Sequence, residues 1–381
     1  MKNNAKIKLA YLQILVCAIL FLAPIVILVV FDKPEPFGGR SVLDLPSLDA
    51  LLTDSSDGRA IMSEALQERM WVKKSSISVR NWMDLELFGF VDTPQVVSGL
   101  DGFLFSKKSL RRFSCDFRPL SPIEIEPFTK ALALAEAAQT KLFLAVSPNK
   151  ATVHTGQLGG RATPYSRCYF QKSMEQRATY GKAMNRFYVD HLQSVALLRS
   201  TSGEAYYRGD THWKEHMGLA IIQDLYLAMR EIDPGFIQLP VEYAGTRRGG
   251  DLERQLIIAR TDRAIGPDIL ALEQRLLSLD KIPGNTLILH DSFYQTKKEL
   301  ISKIFERVTF VHMDDAADAI SSKSPMHGDF FSAVENAGSI IVSVAERNVR
   351  SRLGKMGPFL REEMMRRNRG LDAASPREVK Y

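Results

Sequence analysis

Cysteine is scarce in this chain of 381 residues, and the spacing of its cysteines excludes one common kind of site. The three cysteines are Cys17, Cys115 and Cys168. None of them forms a C-x-x-C pair, which excludes a structural zinc site of the usual type. Two possibilities stay open for Cys115 and Cys168: a disulfide in an oxidising compartment, or two free buried thiols. The sequence also lacks internal repeats, which excludes a repeat architecture.

The body of the chain lacks an excess of positive charge, although the formal net charge is +6. Three lysines stand within residues 1–8, and residues 347–381 hold ten Lys/Arg against four Asp/Glu. Residues 9–346 are therefore slightly acidic, so we expect no nucleic-acid partner. With 45% hydrophobic and 25% charged residues, the composition is that of a globular protein with one large domain or two smaller ones.

One long apolar run interrupts this ordinary composition. Leu9–Phe31 has 23 residues and no charge, which at about 1.5 Å per residue is enough to cross a hydrocarbon core of about 30 Å. Lys2, Lys6 and Lys8 precede it and predict a cytoplasmic start with the rest of the chain exported. Because no small-x-small cleavage site ends the run, an uncleaved inner-membrane anchor is favoured over the alternative, a cleaved signal peptide. The predicted location is therefore the inner membrane, single-pass, with the main domain in the periplasm.

Alternation of apolar runs with helical periodicity predicts an α/β protein. A hairpin is expected over residues 96–105, around an Asp-Gly turn. Strands are expected at 141–146, 286–289, 308–311 and 339–344, and helices at about 57–90, 123–139, 172–200, 219–229, 294–305 and 329–337. Crossover helices between apolar strands imply a parallel sheet with helices on both faces. The predicted segments are 1–8 (cytoplasmic), 9–31 (anchor), 32–95 (spacer and helical lead-in), 96–350 (main domain) and 351–381 (basic tail).

Two short motifs carry the chemistry. In Asp210-Thr211-His212-Trp213 an extended backbone points residues i and i+2 to one side, so Asp210 can hold one imidazole nitrogen of His212 while the other faces a nucleophile. In Asp291-Ser292-Phe293 the serine follows an apolar strand and precedes a helix. Taken singly, Ser292 is explained by a helix cap and the Asp-His pair by a structural loop. Together they are typical of an acyl-transfer triad.

These motifs resemble the periplasmic SGNH-like polysaccharide O-acetyltransferases of the alginate AlgJ/AlgX type. Further stretches that carry the resemblance are Gly99–Phe105, Ser147–Lys150, Gly250–Leu252 and Glu346–Asn348. The Asp-His pair precedes the serine, which is the circularly permuted motif order of that family. Two departures stand out. His290 replaces the glycine of the usual Gly-Asp-Ser signature, and His216 is not part of the family pattern.

The resemblance implies an SGNH-hydrolase-like, flavodoxin-like fold and a catalytic triad of Asp210, His212 and Ser292. It implies transfer of acetyl groups through an acetyl-serine onto an exported polysaccharide, alginate-like in the first instance, with acetylesterase side activity and no cofactor or metal. Its expected partners are the polysaccharide acceptor and a multipass membrane acyltransferase that supplies acetyl groups. Asn149, Arg347 and Asn348 fall at strand ends and are candidates for oxyanion or substrate binding.

Three alternatives remain at this point. His212-Trp213-Lys214-Glu215-His216 matches the H-x-x-E-H pattern of some zinc hydrolases. A non-catalytic SGNH-like scaffold that binds glycan in an envelope complex keeps the fold without the turnover. The basic tail is either a solvated helix or frayed end, or a cationic surface for acidic glycan or anionic lipid.

Overall fold

A computed structural model describes residues 71–321 and 327–369 of the chain. Its strands are β1 (Val96–Ser98), β2 (Leu104–Ser106), β3 (Lys141–Ser147), β4 (Tyr188–Asp190), β5 (Val241–Arg248), β6 (Thr261–Pro267), β7 (Ile282–His290), β8 (Phe305–His312) and β9 (Ser339–Ala345).

Helices alternate with these strands along the chain. They are α1 (Trp71–Glu86), α2 (Lys107–Arg112), α3 (Pro122–Ala137), α4 (Lys150–Val153), α5 (Thr163–Ser166), α6 (Tyr169–Met184), α7 (Leu192–Ser202), α8 (Gly218–Arg230), α9 (Asp251–Leu256), α10 (Ile269–Leu277), α11 (Ser292–Gln295), α12 (Lys298–Ser302), α13 (Met313–Ile320), α14 (His327–Asn336) and α15 (Val349–Asn368). Short 3₁₀ turns lie at Thr155–Gln157, Gly160–Ala162, Asn185–Phe187, Glu215–Met217, Phe236–Gln238 and Glu346–Asn348.

The central element is a five-stranded parallel sheet in the order β4-β3-β9-β7-β8. Side chains along each strand point alternately into two apolar layers, as expected for a sheet covered on both faces. Leu144, Val342 and Leu289 pack on the layer of α3, α13, α14 and α15. Phe143 and Ile341 each precede one of these residues in their strand, so they point to the opposite face and pack on the layer of α7 and α8. The carboxyl ends of β3, β9 and β7 lie side by side, which is where ligands bind in open α/β sheets.

Two antiparallel pairs of strands complete the described fold. β1 pairs with β2 across a turn in which Asp101 and Gly102 both have positive φ, as a two-residue hairpin turn demands. β5 pairs with β6 in a largely exposed ribbon.

The contacts divide the chain into two compact units. Within the described residues, one unit consists of residues 71–88 with residues 253–258, where Asn81 Nδ2 donates to the Leu256 carbonyl at 2.9 Å. The other unit contains the central sheet and every candidate site residue.

Most predicted elements are confirmed, including the hairpin, the four main strands and the helix at 219–229. The single helix predicted over 172–200 is wrong. Asn185, with φ of 48°, ends α6, and the three-residue edge strand β4 precedes α7. The ribbon β5–β6 was not predicted, because its exposed, charged residues lack the apolar run of a core strand. The helix predicted at 294–305 is two short helices, and β8 begins at Phe305.

The predicted anchor Leu9–Phe31, the cytoplasmic segment and residues 32–70 of the spacer lie outside the described residues. Among the residues that are described, no helix has both the length and the apolar character to cross a membrane.

The segment predicted as a basic tail is, as far as residue 368, part of the core. α15 crosses the expected boundary at residue 350, and Leu353, Met356, Leu360 and Met364 are buried on the α3 side of the sheet. Arg367 donates to the carbonyls of Val334 and Ala337. Residues 370–381 lie outside the described part. The structure also joins Cys115 to Cys168 in a disulfide, with the two Cα atoms 5.0 Å apart.

Candidate active site

The structure brings Asp210, His212 and Ser292 together at the carboxyl edge of the sheet. Asp210 Oδ1 lies 2.7 Å from Nδ1 of His212, and Nε2 of the same ring lies 3.0 Å from Ser292 Oγ. Asp210 is fully buried, His212 is partly exposed and Ser292 is exposed. A buried carboxylate, an orienting hydrogen bond and an accessible hydroxyl are the geometric requirements for a base-activated nucleophile.

Asp210 and His212 lie at the tip of a closed loop. Tyr206 pairs with Trp213 across its base, and the Lys214 amide donates to the Ala205 carbonyl at 2.8 Å. Asp210 Oδ1 also accepts from the His212 backbone amide at 3.0 Å, so one carboxylate oxygen fixes both the backbone and the ring. The loop therefore holds the Asp-x-His spacing independently of substrate.

Lys150 fills the inside of this loop. Its Nζ donates to the carbonyls of Tyr207 at 2.7 Å, Arg208 at 2.6 Å and Asp210 at 3.1 Å. Burial lowers the pKa of Lys150 to about 7, against the attraction of Asp251 and Asp210. The Ser-Pro-Asn-Lys motif thus contributes a buried amino group whose hydrogen bonds hold the backbone around Asp210 in place.

Ser292 is held by its neighbours in α11. Asp291 caps the helix by accepting from the Phe293 amide at 3.0 Å, and its other oxygen accepts from the Ala345 amide at 2.6 Å, which ties the end of β7 to β9. Trp213 Nε1 donates to the Phe293 carbonyl at 3.0 Å, and the two rings pack edge to face. Because Trp213 follows His212 and Phe293 follows Ser292, this contact sets the spacing between base and nucleophile.

A second buried network fixes the other side of α11. The Tyr294 hydroxyl lies 2.6 Å from His191 Nε2, and His191 Nδ1 lies 2.8 Å from Asp224 Oδ2. Both His191 and Tyr294 are fully buried, so these contacts support α11 from inside the core.

Asp251 and Arg247 flank the Asp210–His212 pair. Asp251 accepts from the amide of Thr211 at 2.6 Å and from its hydroxyl. Its Oδ2 lies 4.0 Å from His212 Nδ1. Arg247, at the end of β5, places Nη2 2.8 Å from the outer oxygen of Asp210. Asp210 thus has His212 on one carboxylate oxygen and a guanidinium on the other.

The pKa values of Asp210 and Asp251 are shifted in opposite directions. Burial disfavours ionisation of Asp210, but its hydrogen bonds with the side chain and the backbone amide of His212 and its electrostatic attraction to that ring outweigh burial and hold the Asp210 pKa below its ordinary value. For Asp251, burial and the neighbouring negative charge of Asp210 raise the pKa.

Gly250 allows the chain before Asp251 to pass close to the backbone of Gly209 and Asp210. A Cβ at position 250 would lie 2.1 Å from the Gly209 carbonyl oxygen and 2.8 Å from Asp210 Cβ. Only glycine lets this backbone come near enough for Asp251 to reach Thr211.

The oxyanion candidates separate into different roles. Asn149 is buried; its Nδ2 donates to the Tyr169 hydroxyl at 2.9 Å and its Oδ1 accepts from Arg347 Nη1 at 3.3 Å. Arg347 also lies over the ring of Phe293, the residue after Ser292, with the guanidinium carbon 5.1 Å from the ring centroid. Asn348 stands at the N-cap position of α15 without a side-chain cap hydrogen bond, and its carbonyl accepts from the Ser351 hydroxyl at 2.9 Å. Arg347 thus contacts Asn149 and the residue that follows Ser292, whereas Asn348 contributes its carbonyl to the start of α15.

The only grouping of three His, Cys, Asp or Glu side chains close enough for one cation, within the described ranges, is Asp210, His212 and Asp251, whose nearest atoms lie within 4.8 Å of one another. Their atoms are already engaged, because Arg247 occupies the outer oxygen of Asp210 and Thr211 donates to both oxygens of Asp251. The arrangement is a charge network.

The H-x-x-E-H pattern does not produce a shared helical face. His212 lies in the loop before the 3₁₀ turn Glu215–Met217, and both of its ring nitrogens face Asp210 and Ser292. His216 is buried, with Nδ1 3.1 Å from the Ile265 carbonyl. His290, the departure from the serine signature, is also buried, and burial lowers its pKa to about 4.

Sequence reasoning did not assign site roles to Lys150, Arg247, Asp251 and Trp213, although all of these except Arg247 stand in stretches that it had singled out. Each acts through a contact that is remote in sequence, for example Arg247 with Asp210. The Gly250-Asp251 pair, a glycine followed by an acid in a polar loop, is a local signal that could have indicated a close approach.

Comparison with known proteins adds a family to this geometry. Residues 96–276 match the family described as "SGNH hydrolase-like domain, acetyltransferase AlgX". No curated protein matches the chain.

Solved structures also resemble the chain. The O-acetyltransferase domain of Pseudomonas putida AlgJ is 17% identical, with a TM-score of 0.43, covering 73% of this chain and 100% of that one. Pseudomonas aeruginosa AlgX is 12% identical, with a TM-score of 0.43, covering 66% and 61%. A DHHW family protein from Eubacterium siraeum is 11% identical, with a TM-score of 0.43, covering 70% and 96%. At these identities the likenesses do not identify a substrate.

Proposed function

Because this chain belongs, through residues 96–276, to the family of SGNH hydrolase-like acetyltransferases of the AlgJ/AlgX type, we propose that it transfers acetyl groups onto hydroxyls of an exported polysaccharide. The observation that carries the proposal is the line of hydrogen bonds from Asp210 through His212 to the exposed hydroxyl of Ser292. An alginate-like exopolysaccharide is the proposed acceptor, on the basis of the family resemblance.

The proposed reaction has two steps. His212 Nε2 takes the proton of Ser292 Oγ as the oxygen attacks the acetyl carbonyl of the donor, and the same proton then passes to the departing oxygen or sulfur of the donor. This leaves an acetyl-serine. A sugar hydroxyl next gives its proton to His212 and attacks the acetyl carbon, which releases Ser292 with its proton restored. Water in place of the sugar gives the proposed acetylesterase side activity.

Arg347 is the proposed partner of the negatively charged oxygen that forms in each step. Its supporting contacts are the Phe293 ring, in the residue after Ser292, and Asn149 Oδ1. A preorganised donor at the oxyanion supplies about 3–4 kcal/mol in comparable enzymes. Asp210 keeps His212 in the tautomer that presents a lone pair to the serine.

The proposed setting is the periplasmic face of the inner membrane, with a multipass membrane acyltransferase as acetyl donor. Lys2, Lys6 and Lys8 before the apolar run support export, and the disulfide between Cys115 and Cys168 fits an oxidising compartment.

Ser292→Ala tests the function. In the purified full-length protein it should reduce hydrolysis of a chromogenic acetate ester by at least about 1000-fold. We also expect the wild-type protein to gain the mass of one acetyl group after incubation with the ester, and the variant to show no such gain. Because Ser292 is exposed, stability should change little. Ser278→Ala, at an exposed serine remote from the site, is the matched control.

Wild-type hydrolysis in Ser292→Ala would exclude this serine as the nucleophile. A wild-type protein that neither hydrolyses the ester nor reacts with a serine-directed reagent would favour the non-catalytic glycan-binding scaffold.

A further inference from the structure

Two charged side chains outside the Asp210–His212–Ser292 set lie close to the Asp210–His212 pair. Arg247 comes from the exposed ribbon β5–β6 and reaches the outer oxygen of Asp210 at 2.8 Å. Asp251 begins α9 and reaches within 4.0 Å of His212 Nδ1. Neither touches Ser292 in the described contacts, so both act through His212 and its carboxylate.

We propose that Arg247 and Asp251 are opposing positioning residues that together set the proton affinity of His212. Arg247 draws negative charge toward the outer oxygen of Asp210, which weakens the support that this carboxylate gives to a protonated imidazole. Asp251 adds a second negative charge on the Nδ1 side of the ring, which strengthens that support. This inference deepens the proposed function, because it concerns the group that acts there as the base.

Thr211 donates hydrogen bonds to both oxygens of Asp251, one from its amide and one from its hydroxyl. The bond from the hydroxyl of Thr211 stabilises the charged form of Asp251 and opposes the burial and the repulsion from Asp210 that raise its pKa. The same two bonds hold residues 210–212 in the extended form in which Asp210 and His212 share a side. Arg247 is likewise fixed, since its guanidinium also lies over the Tyr207 ring, 4.8 Å from the centroid.

Among the described residues, other charged side chains near the ring contact its neighbours. Lys150 faces the backbone of Asp210, and Arg347 lies over Phe293, whose ring is 5.5 Å from that of His212. Asp291, on the serine side, is engaged by the amides of Phe293 and Ala345. Arg247 and Asp251 are thus the charges whose removal changes the field at His212 with the least rearrangement.

Opposite shifts are the expected result of removing the two charges. A charge of one sign within about 4–6 Å moves a pKa by about one unit or more when buried and by less when partly exposed. Arg247→Gln should move the protonation midpoint of His212 to higher pH by about 0.5 unit or more. Asp251→Asn should move it to lower pH by a similar amount. The double variant should return close to the wild-type midpoint.

The measurement is a pH titration of histidine ring signals by NMR in the full-length protein carrying isotope-labelled histidine. The His212 signal is assigned by its loss in His212→Gln. Arg248→Gln is the matched control, since it removes the same charge from the next residue of β5, which points to the other side of the strand. Arg247→Lys, which keeps the charge, should leave the midpoint within about 0.2 unit of wild type.

Ester hydrolysis followed against pH gives a second readout, in which the acid limb should move with the NMR midpoint. Shifts of the same sign in both variants, or no shift in either, overturn the inference. If Arg247→Gln fails to fold, a downward shift in Asp251→Asn supports the inference and its absence overturns it. Opposite NMR shifts in a protein without serine-dependent turnover would leave the inference standing and reject the proposed function. Turnover that requires Ser292 with unmoved midpoints would do the reverse.

Discussion

Replacing Lys150 by methionine tests whether the buried cation inside the 205–214 loop holds the catalytic carboxylate in place. Methionine has a similar length and no donor. Lys150 is only 4% exposed, so water does not readily replace its three hydrogen bonds. The carbonyls of Arg208 and Tyr207 keep other donors, from Leu104 at 2.9 Å and from the Asp210 amide at 3.4 Å. The Asp210 carbonyl has no other donor among the described contacts.

The expected cost follows from this accounting. A buried carbonyl left without a donor costs about 1–3 kcal/mol, and each of the two weakened bonds contributes about 1 kcal/mol. The sum, about 3–5 kcal/mol, is a large part of the roughly 5–15 kcal/mol that stabilises a domain. Activity should fall further than stability implies, because a displacement of about 1 Å at a catalytic group costs about 100-fold in rate.

Urea unfolding followed by circular dichroism gives the free energy of unfolding. Ester hydrolysis without urea, at low temperature, gives the rate of the folded variant. Lys107→Met is the matched control. Lys107 is also a buried lysine, but its partner is Asp92, away from the loop. A Lys150→Met protein that loses stability and keeps the wild-type rate would refute the idea that Lys150 positions Asp210, and leave it a structural role alone.

Two further changes test the surroundings of the site. Burial, with Arg199 nearby, lowers the pKa of His154 to about 3. Below about pH 6.5 the unfolded chain therefore binds a proton at this residue that the folded chain does not bind. The free energy of unfolding should fall by about 2–3 kcal/mol from this group between pH 6.5 and 4.5. His154→Phe should remove that share of the acid loss in urea unfolding at the two pH values, and an unchanged pH dependence would contradict it. Trp213→Phe removes the hydrogen bond to the Phe293 carbonyl and should lower the ester hydrolysis rate about 10-fold with a stability loss of about 1–3 kcal/mol; a variant equal to wild type in rate would show that the bond does not set the spacing of His212 and Ser292.

The sequence predicted the parts of the fold in which local pattern and burial agree. The apolar runs at β3, β7 and β9 are buried on both faces of the sheet, so periodicity identifies them without knowledge of their neighbours. Because the strands are parallel, their carboxyl ends lie at one edge, and this places Asn149, Ser292 and Arg347 near one another in any such sheet. The i, i+2 spacing of Asp210 and His212 predicted their shared side for the same local reason.

The rest of the site could not be predicted, since it depends on pairings between distant segments. Arg247 reaches Asp210 only because β5 pairs with β6, and neither strand has the apolar run that marks a core strand. Asn149 looked like a donor to the oxyanion, but its amide is committed to Tyr169 and Arg347. A side chain's type states what it can bind, and only the fold decides which partner it meets.

The C-terminal segment shows the same limit from the opposite direction. Its arginines suggested either a solvated end or a cationic surface for acidic glycan or anionic lipid. In the fold, the apolar residues between those arginines carry the information: Met356, Leu360 and Met364 are buried against the layer that includes Phe128 of α3. Deleting them would expose the core, so loss of polymer binding after such a deletion would say nothing about charge. The cationic-surface hypothesis is instead addressed by single substitutions at exposed ends of the helix, such as Arg369, which leave the buried face of α15 intact.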